Sequence, residues 1–152
     1  FPDTDFVDWA NDVFPVLLEN DVPFYIHEIR EYWNDVGSLD ELRSGTFDAL
    51  AGHLRIDVPG EDVAEGVKAG SGTTLPGDCD AQGPVWIGQD CTIGSGVKLM
   101  GPVVVGDGCV IGDGAALRET IVFPGTTIEG GSIVIGAILG HAGITAGLRP
   151  LD

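Results

Sequence analysis

Residues 87–98 read IGQDCTIGSGVK, two copies of a six-residue unit: an aliphatic residue, Gly, two free positions, a small or β-branched residue, and one more. VGDGCV at 105–110 and IGDGAA at 111–116 continue it. Followed outward, the pattern runs from Val63 to about Gly140. A fixed period takes precedence over any local reading. Six is neither a helical nor a simple strand period, and it suits a chain that runs straight, turns and repeats. Three units make a triangular coil of eighteen residues, so residues eighteen apart should stack. One interior ladder is then Val63, Ala81, Leu99, Leu117 and Ile135; a second is Ala69, Ile87, Val105 and Phe123; a third is Leu75, Ile93 and Ile111. No coil can bury its own apolar row alone, so such a rod is stable only as a stack. Parallel stacking pairs the backbone groups of successive coils.

The late units strain this phase. Pro124 and Glu129 break the pattern, and Glu129 would be a charge at an inward position. Burying a lone carboxylate is costly, so a bulge or loop is expected near residues 124–132. Cys79, Cys91 and Cys109 all fall on the small inward phase, which makes them buried small residues. No C-x-x-C pair is present, so a zinc site is not indicated. An odd cysteine count in the core also argues against a secreted disulfide scaffold. Trp86 and Lys98 are outward by phase.

The bulk numbers exclude several classes. With 24 acidic and 7 basic residues the 152-residue chain carries a net charge of -17. Nucleic acid and anionic membranes require clustered Lys and Arg, so neither is a partner. No signal peptide or membrane span is seen, and a cytoplasmic location is expected. The first residue is Phe1 rather than Met, read here as a start inside a longer protein.

Ahead of the rod the pattern changes. Pro15 fits the first turn of a helix, with Asp12 near its cap and Phe14, Leu17 and Leu18 as its buried face. Phe24 to Ile29 and then Tyr32-Trp33 read as a hairpin or adjacent strands ending at Asn34-Asp35-Val36-Gly37. Ser38-Leu39-Asp40-Glu41 is a capping box for a second helix, and Gly52 is its stop. Gly45 inside that helix costs about 1 kcal/mol against Ala. Residues 53–62 read as a connector, 63–140 as the rod and 141–152 as a tail.

The hexads VAEGVK, IGQDCT, IGSGVK, VGDGCV and IGDGAA resemble the repeat of left-handed parallel β-helices; the left hand comes from that resemblance alone. Asp12-Val13-Phe14-Pro15-Val16-Leu17-Leu18 and Tyr32-Trp33-Asn34-Asp35-Val36-Gly37-Ser38 resemble the end of the catalytic domain of sugar-phosphate nucleotidyltransferases, the latter their Tyr-Trp-x-Asp-Ile-Gly-Thr. A β-helix directly downstream is typical of their mannose-1-phosphate guanylyltransferase and glucose-1-phosphate nucleotidyltransferase branches.

The resemblance implies that residues 1–52 are the end of an incomplete catalytic domain. The substrates implied are a nucleoside triphosphate and a sugar 1-phosphate, with Mg²⁺ as cofactor and homo-oligomers formed through the rod. It carries one metal ligand over, to Asp35; a turn-forming Asp is the alternative role there. The family's Gly-x-Gly-Thr-Arg-Leu loop is missing, so the chain alone is expected to be inactive, with no catalytic residue of its own. Two rival readings are a stand-alone hexapeptide acyltransferase, for which His141 is the one candidate base in or beside the coils, and a non-catalytic assembly module. His27 and His53 lie outside the rod and offer no better base.

Overall fold

The computed structural model describes residues 6–140 and the backbone of 143–145. The expected tail at 141–152, with His141, therefore lies almost wholly outside the described residues. The chain divides into two compact units between Glu31 and Tyr32.

The second unit is a parallel β-solenoid of about four turns with a helix packed on it. Its first face is built from β3 (Asp80–Gln82), the start of β6 (Lys98–Val105), the start of β8 (Ala116–Val122) and β10 (Ile133–Ile135). Its second face stacks β2 (Val67–Ala69), β4 (Val85–Ile87), the second halves of β6 and β8, and β11 (Ile138–Gly140). The third is β5 (Thr92–Ile93), β7 (Val110–Ile111) and β9 (Thr127–Ile128). β6 and β8 each bend round a corner and so belong to two faces.

The ends of the second face are closed by antiparallel strands. β1 (Glu61–Ala64) turns back through Glu65-Gly66 onto β2, and β12 (Gly143–Thr145) pairs with β11. Gly66 takes φ 68, the left-handed conformation that a tight turn needs and that glycine adopts without strain. The stack of parallel coils on this face therefore begins at Val67, and Val63 is exposed on the capping strand instead of heading the first interior ladder. Reversed end strands cover the edges that a stack of parallel coils would leave open.

The interior ladders follow the eighteen-residue rule through Leu117 and then slip. Lys98, Leu99 and Met100 pair with Ala116, Leu117 and Arg118, but Val103, Val104 and Val105 pair with Thr120, Ile121 and Val122. One residue is lost at the corner. Gly101-Pro102 fills it in one coil; Glu119 alone, at φ 50, fills it in the next, and Gly136 at φ 62 repeats the single-residue corner. From there the inward set is Val122, Ile128, Val134 and Leu139, while Phe123, Glu129 and Ile135 are exposed. The expected disturbance near 124–132 is thus upstream, at residue 119. Glu129 needs no special loop, because the lost residue has already turned it outward.

The aliphatic-Gly pair of each hexad has a steric cause. A Cβ on Gly88 would lie 2.6 Å from the Asp107 backbone nitrogen, and one on Gly94 equally close to that of Asp113. These aspartates hold the corners together. The Asp107 Oδ1 accepts from the Gln89 N–H at 2.9 Å, and the Asp113 Oδ1 from the Ser95 N–H at 2.9 Å. Part of the chain's acidity is therefore structural.

In the first unit, Trp9–Val13 forms a π-helical turn, with the Asp8 side chain accepting from the Asn11 N–H. It runs into α1 (Phe14–Glu19), with Pro15 in the first turn as expected. Its apolar face is not covered as expected: Phe14 and Leu18 are exposed and Leu17 is half-buried, while Val13 is buried. Residues 22–31 form no strand, nor do 32–36 at the start of the second unit, and Tyr25 and Ile26 are 91% and 99% exposed. The β-forming composition is present, but no neighbouring strand among the described residues offers a ladder, and a strand without a partner is not stable.

Candidate functional site

α2 (Leu39–Leu50) connects the two sequence features that carry functional information. Ser38 caps it, accepting from the Glu41 N–H at 3.2 Å, while the Glu41 carboxylate reaches back to the Gly37 N–H at 3.2 Å, one residue earlier than in a strict capping box. The C-terminus is a Schellman turn. Gly52 at φ 82 donates to the Ala49 carbonyl at 3.1 Å, and His53 donates to the Asp48 carbonyl at 2.9 Å.

One side of α2 packs on the rod. The outward row of the second face is Trp86, Val104, Ile121 and Ile138, each beside the next in the ladder. Phe47 and Leu42 cover Val104, Ile121 and Ile138. Arg43 is 1% exposed; its guanidinium donates to the Gly136 carbonyl at 3.4 Å and meets Asp40 at 3.4 Å. The carbonyl belongs to the one-residue corner, so the register slip helps to form the seat for α2. Trp86 is outward as expected, half-buried, and donates from Nε1 to the Pro59 carbonyl at 2.7 Å. Lys98 is outward and exposed.

The opposite side of α2 carries Glu41, Gly45 and Asp48, spaced i, i+4, i+7. Across it runs Tyr32-Trp33-Asn34. The Asn34 amide donates to the Glu41 carbonyl at 3.3 Å and to the Tyr32 hydroxyl at 3.4 Å. Tyr32 donates its O–H to Asp48 Oδ2 at 2.7 Å, and His53 Nδ1 meets Asp48 Oδ1 at 3.1 Å. A Cβ on Gly45 would sit 3.0 Å from the Asn34 amide nitrogen, so this glycine makes room for the crossing segment. An open groove of about 570 Å³ beside it is lined by Trp33, Val36, Leu42, Ala49 and Leu54.

These contacts set the charges. Donation from Tyr32, followed by that from His53, holds the Asp48 carboxyl below its ordinary range. The Asn34 amide favours the Tyr32 phenolate, but the bond to Asp48, burial and the Asp48 charge together outweigh it and raise the phenol. In the rod, Asp78 is lowered by donation from the Ser95 hydroxyl at 2.5 Å.

Asp35 lies at the exposed end of the crossing segment, and its backbone carbonyl accepts from the Gly37 N–H at 2.7 Å. Among the described residues no three His, Cys, Asp or Glu side chains gather as metal ligands would. Asp35 thus has no second and third carboxylate gathered beside it among the described residues. His27 is exposed. Cys91 and Cys109 are buried and Cys79 is half-buried, all three as free thiols. Burial raises the Cys79 and Cys109 thiols, the opposite of what an activated nucleophile needs. Sequence reasoning missed Arg43, Asp48 and His53. The signal available for the last two was Gly52, whose C-terminal turn folds residue 53 back over residue 48.

The class defined so far is a hexapeptide-repeat β-solenoid with a capped helix docked on one face. Residues 81–145 match the family model described as GMPPB C-terminal domain. The chain is also 30% identical over 94 residues to the UTP–glucose-1-phosphate uridylyltransferase of Synechocystis sp.; the aligned stretch covers 60% of this chain and 24% of that relative. The chain thus spans about a quarter of the length of the curated relative it matches. In its hexads, its solenoid and both matches it resembles the C-terminal part of a sugar-phosphate nucleotidyltransferase. No helix among the described residues is long and apolar enough to cross a membrane.

Proposed function

We propose that this chain is the C-terminal portion of an NDP-sugar pyrophosphorylase of the cytoplasm. In the complete enzyme the phosphate oxygen of a sugar 1-phosphate attacks the α-phosphorus of a nucleoside triphosphate. The bond to the β-phosphate oxygen breaks, pyrophosphate leaves, and the nucleotide sugar remains. The observation that carries this reading is the docking of the helix after Tyr32–Ser38 on the outer face of a hexapeptide rod. Two motifs adjacent in sequence are one packed body. The matches to the GMPPB C-terminal domain and to a uridylyltransferase support the same class.

The roles within this portion follow from its residues. By the resemblance, Asp35 supplies one carboxylate to Mg²⁺ in the complete enzyme; the other ligands and the substrate contacts lie outside this chain. One exposed carboxylate cannot orient two phosphorylated substrates, so this portion alone is inactive. The rod serves assembly: Phe123, Ile133 and Ile135 are exposed apolar residues of its late coils, with Ile133 at 76%, and they suit contact with a second copy.

Pyrophosphate release tests the reading. The longer chain containing these residues should release pyrophosphate with GTP and mannose 1-phosphate or with UTP and glucose 1-phosphate, and the 152-residue chain should release none. Acetyl transfer from acetyl-CoA by the 152-residue chain would overturn it.

A further inference from the structure

The two sides of α2 do different jobs. Arg43 and Phe47 seat it on the rod; Glu41, Gly45 and Asp48 receive the segment that ends at Asp35. The second side has a centre. Asp48 takes the Tyr32 hydroxyl on one carboxylate oxygen and the His53 ring nitrogen on the other, and these two residues come from opposite ends of the helix. Tyr32 in turn accepts from Asn34, which also donates to a carbonyl of α2. Both carboxylate oxygens are thus engaged, and the chain on each flank of α2 is tied to one side chain.

We propose that Asp48 is a positioning residue. It pins the Tyr32–Gly37 segment to a helix that is itself fixed to the rod, and so sets where the Asp35 carboxylate is presented. The pin is defined by this chain's own contacts; its catalytic meaning rests on the nucleotidyltransferase reading. Charge-assisted hydrogen bonds to a carboxylate are stronger than neutral ones, which suits one residue to this task. The lowered Asp48 carboxyl and raised Tyr32 phenol accord with a bond between them. Gly45 serves the same contact, since a Cβ there would lie 3.0 Å from the Asn34 amide nitrogen and the amide would have to give by a few tenths of an ångström.

The experiment is amide hydrogen exchange on the 152-residue chain, with Asp48→Ala, Asp48→Glu and Tyr32→Phe compared in a Tyr25→Phe background that leaves one phenol to titrate. Asp48→Ala should speed exchange of the Gly37 amide, which donates to the Asp35 carbonyl and the Glu41 carboxylate, on the order of tenfold, the cost of losing one such partner. Protection across β6 and β8 should not change. Asp48→Glu should recover part of the protection, and Asp48→Ala should bring the Tyr32 titration down toward that of a free phenol. Tyr32→Phe removes a single hydroxyl and should reproduce most of the exchange effect if Asp48→Ala folds poorly. Unchanged exchange at the Gly37 amide in both Asp48→Ala and Tyr32→Phe, or an unmoved phenol titration, overturns the pin. Equal loosening of β6 and β8 also overturns it, because Asp48 would then support the fold at large. If the exchange and titration results hold and the longer chain releases no pyrophosphate, the pin stands and the functional reading falls. If it releases pyrophosphate while exchange is unmoved, the reverse is true.

Discussion

In the rod, Leu99 is buried beside Leu117, and Ile87 beside Val105, because each coil finds its partner one turn away in its own repeat. In the stretch from Phe6 to Gly37, Trp9, Tyr25, Ile26 and Trp33 are as apolar and stay exposed. Composition does not separate the two regions. What separates them is where the partner surface comes from. A repeat supplies its own, whereas a non-repeating strand former needs a ladder from elsewhere, and apolar surface left in water contributes no stability. Tyr32 to Asn34 shows the intermediate case: the backbone forms no ladder, yet side-chain hydrogen bonds hold it to α2.

The sharpest way to break this comparison is to remove one side chain from each region. Leu117→Ala should cost about 3 kcal/mol in urea unfolding, as buried Leu truncations do. Ile26→Ala should stay within about 0.5 kcal/mol, as exposed substitutions do. Similar losses at both sites would show that the exposed stretch is buried in solution. A second variant tests the seat of α2. Arg43→Met keeps much of the apolar stem and removes the donation to the Gly136 carbonyl, and it should cost about 2 kcal/mol by the same measurement. A smaller effect, of opposite sign, is expected at the corner. Glu119→Gly relieves a left-handed conformation that a side chain resists, so it should raise stability by about 1 kcal/mol. A loss there would mean that the Glu119 side chain, 3.5 Å from the Arg118 guanidinium, matters more than its backbone.

Much of the rod was legible because its period is simple and its steric demands recur. Gly at the second hexad position, aliphatic residues at the first and Asp at the corners each follow from the close approach of successive coils. The loss of register was also written in the sequence, though less loudly: Gly83-Pro84 and Gly101-Pro102 stand eighteen apart, and Glu119-Thr120 stands where a third such pair belongs. Counting inward residues without checking that corner placed Phe123 and Ile135 inside and called for a bulge to keep Glu129 out. In the candidate site, Asp35 and the Ser38 cap were visible as a motif, while Asp48 and His53 were not, because their meeting depends on the turn that Gly52 makes.

A pattern of residues carries the coil, the limits of α2 and the class of protein this chain resembles. Those follow from contacts between residues a fixed distance apart, which a pattern records directly. Only the tertiary structure decided that α2 lies on the outer face of the rod, that Arg43 is buried at the Gly136 corner, and that Asp48 joins Tyr32 to His53. Arg43 and Gly136 are separated by 93 residues of chain. A polar contact at that separation leaves no period behind it, and its energy comes from desolvation and geometry that exist only once both surfaces have formed.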